Sequence, residues 1–170
     1  ACLRTLSSRV LPEMFNAYVK LHAEGEGQDA SIAGHSRQVA LNAVQSYVQV
    51  AEPGLVGNLF KTLVARMLKA TTAEAGAGAM AEAVPVAELA NAIVPHLAAE
   101  FLELALKVFA PMLSSGGAAA EDDKGTAAVL QRTAYRAISG ILQHDASGKL
   151  GDASKILELW AMLRDARQTC

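Results

Sequence analysis

Apolar residues recur along this chain at three- and four-residue steps, broken by short polar or glycine-rich stretches, and that spacing predicts helices throughout. A first helix spans about Ser8 to Glu24, with Leu11, Met14, Phe15, Tyr18, Val19 and Leu21 on one face and Pro12 in an early turn that tolerates it. After Gly25–Gly27 a second runs from about Ser31 to Ala51, setting Val39, Ala40, Ala43, Val44, Tyr47 and Val48 against Arg37, Gln38, Asn42, Gln45 and Gln49. Glu52-Pro53-Gly54 ends it and starts a third. There the pairs Leu55/Val56, Leu59/Phe60, Leu63/Val64 and Met67/Leu68 make a wide apolar face suited to the inside of a helical layer. Thr71 to Ala83 is rich in Ala and Gly and is expected to be a flexible loop, with Pro85 opening a fourth helix through about His96. A fifth covers about Ala98 to Leu113. Ser114 to Gly125 forms a second flexible linker, a sixth helix covers Thr126 to Gln143, and Asp152 caps a seventh that carries Ile156, Leu157, Leu159, Trp160 and Leu163.

No sustained two-residue alternation bounded by hairpin turns competes with this reading, so the expected fold class is all-α. The helices also repeat. A small-xx-small-large pattern at Ala40, Ala43 and Val44 returns at Ala134, Ala137 and Ile138, 94 residues later, with Ala87 and Ala90 in phase between them. That is two periods of about 47 residues, the length of HEAT or armadillo units. Small residues one turn apart let paired helices approach closely. The expected architecture is therefore an α-solenoid of about three HEAT/armadillo-like helix pairs plus a further C-terminal helix. Residues 1–170 form one segment of it, interrupted by flexible loops near 71–83 and 114–125.

Composition narrows the functional classes. Fifteen Lys and Arg against seventeen Asp and Glu give a net charge of −2, without the basic excess of a stand-alone nucleic-acid binder. Lys61, Arg66, Glu100, Glu103 and Lys107 interrupt every long apolar stretch, so no membrane span is expected. Cys2 and Cys170 are too few for a disulfide framework and point to a reducing compartment. The start at Ala1 and the helix-favouring end lead us to expect an internal portion of a longer protein. Catalytic signals are weak: His22, His35, His96 and His144 lack metal-ligand spacing, and Gly25–Gly27 and Gly76–Gly78 follow no strand. Glu100 and Glu103, one turn apart, read as a solvated helix face, as the acidic run Glu121–Asp123 reads as a solvated loop. No enzyme, cofactor, metal or small-molecule substrate is expected. The basic side chains Arg37, Arg132 and Arg136 all lie on the second helices of the inferred pairs, where a solenoid could align them as an RNA-contacting stripe.

Three segments carry a family resemblance. Val10-Leu11-Pro12-Glu13-Met14-Phe15-Asn16-Ala17-Tyr18 is similar to a segment in the central solenoid of the ribosomal RNA-processing protein twelve-like family. Val44-Gln45-Ser46-Tyr47, followed by Leu55-Val56-Gly57-Asn58-Leu59, resembles that family's tyrosine-ended helix and the start of the next one. Val129-Leu130-Gln131-Arg132-Thr133-Ala134-Tyr135-Arg136-Ala137-Ile138 resembles a further helix of the same group, and the three occur in the family's order. The linkers at 71–83 and 114–125 depart from it, looking longer than the family's loops, and the residues before Val10 look abbreviated. The resemblance implies a long HEAT/armadillo protein of the nucleus and nucleolus, acting as a scaffold in ribosome biogenesis. It would associate with pre-ribosomal particle proteins and pre-rRNA, supporting rRNA processing and subunit export, with no catalytic residues. The alternative is another protein-binding HEAT-repeat scaffold, such as a karyopherin-like transport adaptor. Asn42 and Asn91 are its only inner-helix candidates, and they lack the partnering Trp such an adaptor uses.

Overall fold

A computed structural model of the chain describes residues 2–24, 30–71, 79–114, 124–144 and 153–169, and every regular element among them is helical. They form α1 (Cys2–Glu24), α2 (Ala30–Val48), α3 (Pro53–Thr71), α4 (Ala79–Ile93), α5 (Ala99–Ser114), α6 (Lys124–His144) and α7 (Ala153–Thr169), with one 3-10 turn at Val94–His96. None of these helices is long and apolar enough to cross a membrane. The chain divides into two compact units, residues 1–96 and 97–170.

In the first unit, consecutive helices pair as the periodicity predicts, α1 with α2 and α3 with α4. The α2–α3 junction shows how. Residues 49–51 leave the helix through turns in which the Gln49, Val50 and Ala51 N–H groups donate to the Gln45, Tyr47 and Val48 carbonyls at 3.2–3.3 Å. Pro53 then occupies the first position of α3, where its missing N–H costs nothing, and the Glu52 carbonyl accepts from Leu55 and Val56 at 3.0 and 3.1 Å. Within the α3–α4 pair, Phe60 and Met67 of α3 and Leu89 and Ile93 of α4 are completely buried. Each such side chain contributes about 1.5–3 kcal/mol relative to an exposed one. The core then spreads through α4, which also touches both α1 and α2. Ala83, Ala87 and Ala90 on α4 are fully buried, and their lack of bulk lets three other helices close on one.

Three helices of this unit differ from expectation. α1 begins at Cys2 rather than Ser8, so Pro12 sits well inside it. α4 begins at Ala79, four residues before the end of the expected loop, and holds Pro85 in its interior; the rest of that loop lies outside the described residues. Burial of Ala83 and Val84 rewards carrying the helix back past the proline, at the loss of one ladder hydrogen bond. In α2 the expected apolar face is buried only in part: Val44 and Val48 are buried as expected, but Val39 is 53% exposed and Ala43 is exposed, and Ala33 is buried in addition. The small-xx-small-large pattern is thus buried at Ala87 and Ala90 and at Ala134, Ala137 and Ile138, but its first occurrence points partly to solvent.

The second unit contains α5, α6 and α7, each in contact with the other two, and α5 with α6 most extensively. Phe109 and Ala105 of α5 and Ala134, Ala137, Ile138 and Ile141 of α6 form its centre. A buried polar contact fixes the α5–α6 pair. Gln131 Nε2 donates to the Leu113 carbonyl at 2.9 Å, satisfying one of the acceptors that the last turn of α5 leaves without a helical partner. Thr133, also buried, donates its hydroxyl to the Val129 carbonyl at 2.9 Å within α6. The expected linker at 114–125 is helical at Ser114 and from Lys124; its interior, like the Asp152 cap, lies outside the described residues.

Candidate functional site

Each basic residue singled out from the sequence has a definite place. Arg37 is half-buried on α2, its Nε donating to the Ala33 carbonyl one turn back at 3.2 Å. It lies close enough to Tyr18 of α1 for its positive charge to favour ionisation of that phenol. Tyr18 is 1% exposed, and its hydroxyl donates to Glu88 Oε2 of α4 at 2.5 Å, the short range of a charge-assisted O–H to carboxylate bond. Burial first, then the hydrogen bond and the negative charge of Glu88, push the Tyr18 phenol well above its ordinary value of 10.0; Arg37 pulls weakly the other way. This cluster joins α1, α2 and α4. Arg37 thus acts on the Tyr18–Glu88 contact through its charge, while its own hydrogen bond stays within α2.

Arg132 and Arg136 differ. Both are exposed on α6, one turn apart and on one side of the helix, with the Arg132 Nε returning to the Ala128 carbonyl at 3.2 Å. They form a pair within the second unit, while Arg37 belongs to the first.

Beside them is a feature that the apolar pattern did not reveal. An open groove of about 580 Å³ runs between α6 and α7, with Tyr135 and Trp160 among its walls, Ser139 and Gln143 as polar lining, and the buried Leu163 at its base. Trp160, read from the sequence as a core position of α7, is 60% exposed, and its neighbour Leu157 is exposed as well. The inward side of α7 is set by Leu159 and Leu163 instead. The sequence signal was present in the step from Leu159 to Leu163, four residues apart, which leaves Trp160 100° away around the helix.

The remaining chemistry-bearing residues do not assemble. Among the described residues no three His, Cys, Asp or Glu side chains come together as a metal site. Glu100 and Glu103 are both exposed on α5, and Glu103 pairs with Lys107 at 3.8 Å. Arg66 meets Glu82 at 3.5 Å across the α3–α4 pair. Asn42 accepts a hydrogen bond from Gln38 at 2.9 Å on the exposed side of α2. Gly25–Gly27, Gly76–Gly78 and Glu121–Asp123 lie outside the described residues. Compared with protein-family models, curated proteins and solved structures, the chain finds no match in any of the three.

Proposed function

We propose that the chain is a segment of an α-solenoid that serves as a non-enzymatic binding scaffold in ribosome biogenesis, working in the nucleus and nucleolus on pre-ribosomal particles. The observation that carries the reading is the ordered set of three segments at Val10–Tyr18, Val44–Leu59 and Val129–Ile138, which resemble one family of HEAT/armadillo ribosome-assembly proteins. Their placement is compatible with that origin: the first lies in α1, the second bridges α2 and α3, and the third lies in α6. Consecutive pairing of α1 with α2, α3 with α4 and α5 with α6 is the local arrangement from which solenoids are built. In this reading the helix pairs supply stiffness, and exposed side chains such as Arg132 and Arg136 supply contacts to pre-rRNA and assembly proteins.

The test is capture of the tagged protein from nuclear extract at moderate and then high salt, with mass spectrometry and sequencing of the associated RNA. Recovery of pre-rRNA with ribosome-assembly factors is the expected result. Recovery of a Ran-type GTPase with diverse cargo and no pre-rRNA would overturn it in favour of a transport adaptor.

A further inference from the structure

We infer that the groove between α6 and α7 binds single-stranded RNA, with bases against Trp160 and Tyr135 and phosphates against Arg132, Arg136 and Arg167. The inference deepens the scaffold reading and rests on it in taking a nucleic acid as the partner. Three observations converge on this surface.

The first is charge. The chain as a whole carries −2, yet α6 holds Lys124, Arg132 and Arg136 with no Asp or Glu. α7 adds Lys155, Arg164 and Arg167 against Glu158 and Asp165. These two helices thus carry six basic residues against two acidic ones, a local excess of the kind that a polyanion selects, in a chain whose other nine basic residues are spread over the remaining segments. The second is helical register. Arg132 stands one turn before Tyr135 on α6, with Arg136 beside it, while Arg164 and Arg167 follow Trp160 and Leu163 by one turn on α7. Each cation therefore flanks a groove residue. Arg164 is engaged by Asp165 at 3.2 Å, whereas Arg136 and Arg167 have no acidic partner among the described residues. The third is the lining. Tyr135 of α6 and Trp160 of α7 offer flat apolar faces, and Ser139 and Gln143, one and two turns after Tyr135 on α6, offer hydrogen-bonding groups in the same groove, a combination that suits a nucleobase. A duplex would keep its bases stacked away from such a groove, so the partner is single-stranded.

The chain contains one tryptophan, so its fluorescence reports on this groove alone. Titration of the purified protein with a mixed-sequence single-stranded RNA 12-mer should quench Trp160 saturably, and anisotropy of labelled RNA should give the same affinity. Three phosphate contacts predict a log-affinity against log-salt slope of about −2. Trp160→Leu should weaken binding by between about five- and about 150-fold while leaving the far-UV circular dichroism unchanged, because the side chain is mostly exposed. Arg132→Gln with Arg136→Gln should reduce the slope by about 1.4.

RNA binding without quenching would place the contact elsewhere and overturn the proposal. So would equal quenching by polyglutamate, which would make the groove a site for acidic protein segments, or the absence of any binding. The two readings fail separately. Pre-rRNA recovered from extract by a protein that shows no quenching removes the groove alone; quenching without pre-rRNA recovery removes the ribosome-biogenesis reading and leaves the groove.

Discussion

Replacing Tyr18 by Phe tests whether the polar contact at the α1–α2–α4 junction stabilises the first unit. The substitution keeps the aromatic ring, and so the apolar burial of a side chain that is 1% exposed, and removes only the hydroxyl that donates to Glu88. Hydrogen bonds to charged groups contribute about 1.5–3 kcal/mol net. Glu88 is half-buried, so water can replace part of what the carboxylate loses, and the expected cost is about 2 kcal/mol. For a chain of this length that corresponds to a fall in melting midpoint of about 4–8 °C. The assay is urea denaturation followed by far-UV circular dichroism for wild type, Tyr18→Phe, Glu88→Met and the double variant. Glu88→Met removes both charge and acceptor while keeping side-chain length, so Tyr18→Phe should cost little in that background. A coupling energy of about 1–2 kcal/mol is expected. A Tyr18→Phe cost below about 0.5 kcal/mol, or an equal cost with Glu88 present and absent, would refute the reasoning.

The same contact sets a pH dependence. The folded state holds the Tyr18 phenol above the value near 10.0 at which the unfolded chain ionises, so its stabilisation is complete below that pH and is lost as pH rises beyond it. Denaturation midpoints between pH 9 and 11 should fall more steeply for wild type than for Tyr18→Phe, by up to about 1.4 kcal/mol per pH unit. Ala134→Leu should overpack the α5–α6 contact, where Ala134 is fully buried, and cost about 1–3 kcal/mol; an unchanged melting midpoint would remove that position from the core. Gln131→Leu should cost about 1–3 kcal/mol by leaving the Leu113 carbonyl without its donor, measured by the same denaturation, and Gln131→Glu should not restore it because a carboxylate cannot donate.

What was legible in the sequence follows from how strongly each residue constrains its surroundings. Of the apolar pairs of α3, Val56, Phe60, Leu63, Val64 and Met67 are buried while Leu68 is exposed, and in the Val129–Ile138 stretch of α6 Leu130, Ala134, Ala137 and Ile138 are buried. In α2 the expected face of Val39, Ala40, Ala43, Val44, Tyr47 and Val48 is buried at Val44 and Val48 but not at Val39 and Ala43, and Ala33 is buried in addition, on the side of the helix where half-buried Arg37 acts on Tyr18. Both prolines lie further inside their helices than the pattern predicts: Pro12 stands ten residues into α1, which starts at Cys2 rather than Ser8, and Pro85 is interior to α4, where burial of Ala83 and Val84 offsets one missing hydrogen bond. Of the expected stripe of Arg37, Arg132 and Arg136, the last two are exposed on one side of α6 while Arg37 belongs to the other unit, and the groove beside α6 is not legible in the apolar pattern. It depends on the offset between Leu159 and Trp160, which counting apolar residues cannot resolve.

The position of α4 has a consequence for how the protein is made. The first two helices are finished by residue 48, but the helix that both of them touch begins at Ala79 and ends at Ile93. At synthesis rates of about 5–20 residues per second, several seconds separate the completion of α2 from that of α4, the helix that both α1 and α2 touch. During that interval Tyr18 has no Glu88 to bind. The contact between α1 and α4 is therefore made only after about 45 further residues have been added beyond α2, and slow codons in that stretch would delay it.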